Sequence, residues 1–130
     1  MVRTRTKMVS SRESLAKRLN EDPEFRDEWA RTAVARAVAT ALVKYRGEQG
    51  LTQTQLAERL GMAQTQVGRL ELGEHTPTIE MLFRLAHGLG QGFVVAILPQ
   101  GRDLIVSAEG CEVLEDVTLS QGMRVVAAAG

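Results

Sequence analysis

Apolar and polar positions along the chain alternate with a helical period over most of the first ninety residues, most legibly in LTQTQLAERLGMAQTQVGRLEL, residues 51–72. Leu56, Ala57 and Leu60 recur on one face of a first short helix, and Val67 and Leu70 on one face of a second. Thr52, with Gln55 three places on, is the pair in which each side chain satisfies a free backbone N–H of the other at a helix start. Gly61 stands where the first helix must stop in a left-handed conformation, and Met62 can plug the corner. The outward set on the second helix, Gln64, Thr65, Gly68 and Arg69, has no apolar member.

Upstream, Ser11 to Leu19 predicts a short helix with Leu15 and Leu19 on one face, broken at Asn20-Glu21. Asp22-Pro23-Glu24 then reads as a new start, with Asp as N-cap and Pro where its missing N–H does no harm. No Gly or Pro interrupts the chain from Pro23 to about Arg46. Phe25, Trp29, Ala33, Ala37, Ala41 and Tyr45 mark an i, i+4 stripe along it, so one helix of about 35 Å is expected. Its second half should open a helical bundle, and its first half should project beyond it. Phe25 and Trp29 on that projection are covered by the preceding helix or present an apolar patch to a protein partner. Thr78 caps a last helix with Ile79, Leu82, Leu85, Ala86 and Leu89 inside.

From Gly92 to Pro99 the character changes to β-branched and aromatic, which reads as a strand. A lone strand needs a partner, either Leu104 to Ser107 in a hairpin or its own copy in a second subunit. Two further strands are expected at Val113 to Leu119 and Met123 to Val126, with a loose end from Ala127. The expected organisation is a basic arm and short helix (1–21), a projecting half-helix (22–36), a helical domain (37–90), a strand or hairpin (91–107) and a tail (108–130).

A chain of 130 residues with 44% hydrophobic and 25% charged residues fits one small domain with appendages. No apolar run reaches the length of about 20 residues that spans a bilayer, and no secretory signal is apparent, so a cytoplasmic protein is expected. The lone Cys111 can form no internal disulfide. Net charge is zero but unevenly spread. Residues 1–18 carry Arg3, Arg5, Lys7, Arg12, Lys17 and Arg18 against Glu13, a net of +5, as a solvated arm or one that contacts DNA or a partner. His75 and His87 have no ligand spacing around them, and no phosphate-binding Gly loop, nucleophile elbow or carboxylate pair is present. The expectation is a non-enzyme with no cofactor and no metal.

Ala57, Gly61, Val67 and Leu70 supply the small, turning and apolar positions that two helices crossing at a tight corner need. This stretch resembles the helix-turn-helix of the Xre/Cro/C1 repressors, and the likeness runs on through Leu72-Gly73-Glu74 and Pro77-Thr78-Ile79-Glu80 to Leu89-Gly90. The resemblance implies a mainly α, lambda-repressor-like helical bundle, here with an N-terminal helical extension and a short C-terminal β segment. It implies base contacts from Gln64, Thr65, Gly68 and Arg69, and a phosphate-binding, buttressing role for Gln53. As polar side chains on a short helix, these residues would otherwise be a solvated face. Gln offers one donor and one acceptor to adenine, and Arg two donors to guanine. Lys44 and Arg46 are further phosphate candidates.

Two positions depart from the repressor pattern: Ala63 gives the second helix no side-chain cap, and Gly68 weakens it. The segment Asp22-Pro23-Glu24-Phe25 leading to Gly50-Leu51-Thr52-Gln53 is similar to the HigA-type antitoxins. That likeness implies a homodimer that represses its own operon at a DNA palindrome and neutralises a RelE/HigB-like ribonuclease toxin, docked at Phe25 and Trp29. The alternatives are a free-standing regulator and an adaptor that has lost DNA binding.

Overall fold

A computed structural model describes residues 11–103 and 110–130. The basic residues Arg3, Arg5 and Lys7 and the proposed hairpin partner 104–107 lie outside the described residues. The order is α1 (Ser11–Glu21), α2 (Pro23–Arg31), α3 (Ala33–Gln49), α4 (Gln53–Leu60), α5 (Gln64–Leu72), α6 (Ile79–Leu89), β1 (Phe93–Leu98), β2 (Glu112–Thr118) and β3 (Arg124–Ala129). The fold is the expected one: mainly α, a lambda-repressor-like bundle with a helical extension and a small β segment.

Side chains from α3 to α6 build the main core. Val38, Leu42, Leu56, Ala57, Leu60, Val67, Leu85 and Leu89 are buried together, with Met62, Leu70 and Leu82 packed against them. Val67 and Leu56 reach 0% exposure, which fixes α5 against α4. Burial of each such aliphatic side chain stabilises the fold by roughly 1.5–3 kcal/mol. Ile79, expected inside, is 64% exposed, and Phe83 on the same stripe is 68% exposed. The expected Leu85 and Leu89 are buried and Leu82 packs against them.

The single helix expected over Pro23 to Arg46 is two helices. Asp22 caps the first as anticipated, accepting from the Phe25 N–H at 3.0 Å. At Thr32 the backbone departs from helix (φ −102°, ψ 8°). Its N–H and its hydroxyl both donate to the Trp29 carbonyl, at 3.3 and 3.2 Å. A Thr side chain that bonds back to the preceding turn competes with helix propagation, and here it re-aims α2. Ala30 and Ala33 on either side of the break are buried with Val117 of β2 in a second, smaller cluster.

The sheet corrects the expectation for the C-terminal third. Among the described residues the partner of β1 is β3, antiparallel, from Phe93 opposite Ala129 to Leu98 opposite Arg124, a pairing the sequence reading did not name. β2 pairs with the other edge of β3, with a register irregularity between Val113 and Glu115, so the strand order is β1-β3-β2. The strand expected over Met123 to Val126 runs on through the end expected to be loose, so that β3 is the central strand, with Val126, Ala127, Ala128 and Ala129 all buried. Alanine has a poor strand propensity, but its small side chain lets α3, itself alanine-lined at Ala33, Ala37 and Ala41, lie close over the sheet.

Polar clamps complete the docking. Arg36 donates through Nε and Nη2 to Glu115 Oε1 at 3.1 and 2.8 Å, Lys44 Nζ lies 3.0 Å from Glu112, and Asp27 accepts from the Ser120 N–H and hydroxyl at 2.7 and 2.8 Å.

Candidate nucleic-acid interface

The helix pair at the centre of the chain has the local structure its residues call for. The Thr52 hydroxyl accepts from the Gln55 N–H at 3.1 Å, and the Gln55 side chain accepts from the Thr52 N–H at 2.9 Å. Gly61 takes φ 68°, so the chain turns and the Met62 N–H reaches the Ala57 carbonyl at 3.0 Å. Ala63 provides no side-chain cap for α5, but its carbonyl accepts from the Gln66 and Val67 N–H groups at 3.0 and 3.3 Å. At the far end Gly73 (φ 68°) lies so near α3 that a Cβ there would sit 3.3 Å from Ala39 Cβ. Helix α5 is therefore held at both ends and along its inner side.

A chain of hydrogen bonds runs across this frame. Arg46, near the end of α3, donates to both oxygens of Glu71 on α5 at 2.8 and 3.0 Å, and to the Leu51 carbonyl at 3.3 Å. Gln53 Nε2 donates to Glu71 Oε1 at 2.9 Å, and Gln64 Nε2 donates to Gln53 Oε1 at 2.7 Å. Burial of Glu71 would by itself raise its carboxyl pKa. The hydrogen bonds from Arg46 and Gln53 outweigh that and hold it below the ordinary carboxylate value, while Glu71 keeps Arg46 above the usual guanidinium range.

The consequence falls on Gln64. An amide nitrogen carries two protons. One is committed to Gln53, which restrains the exposed Gln64 amide and leaves a second N–H and the carbonyl oxygen without a partner among the described residues. Thr65 and Arg69 are exposed beside it. Arg69 makes no hydrogen bond or ion pair among the described residues. Gly68 lies under the pair: a Cβ there would sit 3.6 Å from Gln53 Oε1 and 3.8 Å from Gln64 Nε2, ordinary contact. The bond between the two glutamines does not depend on a bare position 68.

The candidate residues thus divide. Gln53, Gln64, Thr65, Gly68 and Arg69 come together on one side of α4 and α5. Arg46 belongs to the frame behind them, its guanidinium spent on Glu71 where a free phosphate-binding cation was expected. Lys44 is turned to the sheet and Glu112, which raises its pKa through the shared hydrogen bond. Phe25 and Trp29 form a tilted ring pair 5.9 Å apart, half-buried, with the Arg18 guanidinium 3.9 Å from the Phe25 ring and that of Arg36 3.5 Å from the Trp29 ring. They do not project: Arg18 of α1 covers the first, and the second packs beside Val117. Glu71 went unrecognised from sequence. Its signal was a carboxylate one turn beyond Val67, next to Leu70, on the inner flank of a helix.

A family model described as helix-turn-helix matches residues 42–93. Among curated proteins, the chain is 36% identical over 62 residues to y4dJ of Sinorhizobium fredii, an uncharacterized HTH-type transcriptional regulator, covering 48% of this chain and 80% of that protein. It is 38% identical over 52 residues to an uncharacterized HTH-type transcriptional regulator of Methanothermobacter thermautotrophicus, covering 40% and 75%. Identity to the HTH-type transcriptional regulator SutR of Escherichia coli is 33% over 66 residues, 51% of this chain but only 37% of SutR, so the chain spans little more than a third of that relative. No solved structure matches the chain. Among the described residues no helix is long and apolar enough to cross a membrane.

Proposed function

The chain belongs to the helix-turn-helix family of transcriptional regulators, and from that premise we propose that it is a sequence-specific, homodimeric repressor that places α5 in the major groove of a palindromic operator. The observation that carries this is the Arg46–Glu71–Gln53–Gln64 chain. It restrains the exposed Gln64 side chain before binding, with an uncommitted Arg69 on the same helix face. Gln64 suits adenine and Arg69 guanine, and Gln53 and Thr65 would make the phosphate and groove-wall contacts. Two subunits would read half-sites about 34 Å apart, one helical turn, and would double a modest number of phosphate contacts.

Selection of bound sequences from a random duplex pool, followed by titration at several salt concentrations, tests the reading. Gln64→Ala and Arg69→Ala should each cost about 1–3 kcal/mol and relax base preference at separate positions. Absence of salt-dependent binding, or an Arg69→Ala variant with unchanged affinity and preference, would mean that the face is an ordinary solvated surface or that of an adaptor.

The finer antitoxin reading asks the extension to dock a toxin. With Phe25 and Trp29 half-buried and each faced by an arginine, the free-standing regulator is the better supported of the two. Co-purification with a RelE/HigB-like ribonuclease, together with rescue of growth, would reverse that preference.

A further inference from the structure

The two edges of the sheet are built differently. The β2 edge carries Glu112, Glu115 and Asp116 and an irregular register between Val113 and Glu115, the devices by which sheets turn away an additional strand. The β1 edge, Phe93-Val94-Val95-Ala96-Ile97-Leu98, has no charge, no Pro and no bulge, and its six residues pair one to one with β3. Among the described residues no strand lies on its outer side. Ile97 is opposite Val125, which packs on the α2–α3 cluster, so Ile97 and its i−2 neighbour Val95 lie on the helix-covered side of the sheet. They nevertheless remain 65% and 43% exposed, because the helices lie across β2 and β3 and stop short of this edge.

We propose that β1 is the dimerisation edge, where two copies of the chain pair β1 with β1, antiparallel about a two-fold axis, and join their sheets into one of six strands. The proposal rests on the dimeric repressor reading and supplies its interface. The occupant follows from charge. An isologous contact sets each side chain against the same patch of the partner, so a β2–β2 contact would bring carboxylate against carboxylate, whereas β1 brings no charge to itself. An axis through Val95 or Ala96 keeps every side chain on its own face of the joint sheet. The exposed Val95 and Ile97 of both copies then meet beside it.

Sedimentation equilibrium of the full chain reads the proposal directly. The parent should sediment at twice 14.2 kDa. Val95→Lys/Ile97→Lys, and more weakly Ile97→Lys alone, should loosen self-association by about a hundredfold through like charges across the axis. Circular dichroism should show the variant folded, with a melting temperature lower only by the stabilisation that the parent gains from association. A half-site duplex should still bind the monomeric variant, while tight palindrome binding is lost.

A parent that remains monomeric at 100 µM leaves the edge to a foreign strand and overturns the proposal. A folded double variant that stays dimeric also overturns it, as does loss of the dimer in Phe83→Lys alone, which would place the contact on α6. If neither parent nor variant binds any duplex while self-association behaves as described, the repressor reading fails and the β1 interface stands.

Discussion

Glu71→Ala tests the frame behind the reading helix. The substitution removes two hydrogen bonds from Arg46, at 2.8 and 3.0 Å, and one from Gln53 at 2.9 Å. Hydrogen bonds to a charged group contribute about 1.5–3 kcal/mol each when taken singly, but these three share one carboxylate and do not add. Arg46 is 28% exposed against 7% for Glu71, so water recovers part of the orphaned guanidinium. A loss of about 2–3 kcal/mol is therefore expected, below the 3–5 kcal/mol of a fully buried pair broken from one side. For a chain of this size that is a melting temperature lower by roughly 10 °C. Urea unfolding followed by circular dichroism measures it, and a cycle with Arg46→Ala should show coupling of at least about 1 kcal/mol. At 10 °C, where the variant is still folded, operator affinity should fall about tenfold because Gln53, and through it Gln64, is no longer anchored. A stability change under about 0.5 kcal/mol, or additivity with Arg46→Ala, would show that the network does not hold the helix.

Three further outcomes are expected. The stability difference between the parent and Glu71→Gln should be constant at neutral pH and should shrink as pH falls below about 4.5. A carboxylate whose folded pKa is lowered contributes above its unfolded pKa and loses that contribution as pH drops through the folded one, so a difference that grows in acid contradicts the assignment. Gly88→Ala should destabilise by about 1–3 kcal/mol despite alanine's better helix propensity, because a Cβ there collides with Leu60 Cδ2 where α4 and α6 cross; a raised urea midpoint would disprove the close crossing. Gly68→Ala, which meets only ordinary contacts, should instead stabilise the protein by about 0.5–1 kcal/mol, and a lower melting temperature would show that space at this position is tighter than described.

What the sequence made legible was local. The Thr52–Gln55 box, the Gly61 turn and the Leu56, Leu60 and Val67 faces all follow from spacings of three to five residues, and all are found as read. The failures are places where a long-range partner overruled a local preference. Nothing within a turn of Thr32 forbids helix, and the break there serves the docking of Ala30 and Ala33 against Val117, more than eighty residues on. Ala127 to Ala129 look like a loose end until the alanines of α3 give a small-residue strand something to lie against. The outward residues Gln64, Thr65 and Arg69 were legible because a polar face has a period, while Glu71 was not, because its meaning depends on Arg46 and Gln53 arriving from two other helices.

The strand order sets a schedule for synthesis. β1 and β2 leave the ribosome before β3, the strand that joins them, while the contacts of α3 to α6 are already complete in the emerged chain. The helical reader can thus consolidate before the sheet, which closes only once β3 has emerged, leaving the uncharged β1 without its partner strand until then. That interval is when a second nascent chain on the same message is nearest, so a wrong pairing with β1 would be made during manufacture of the protein, before its finished form exists.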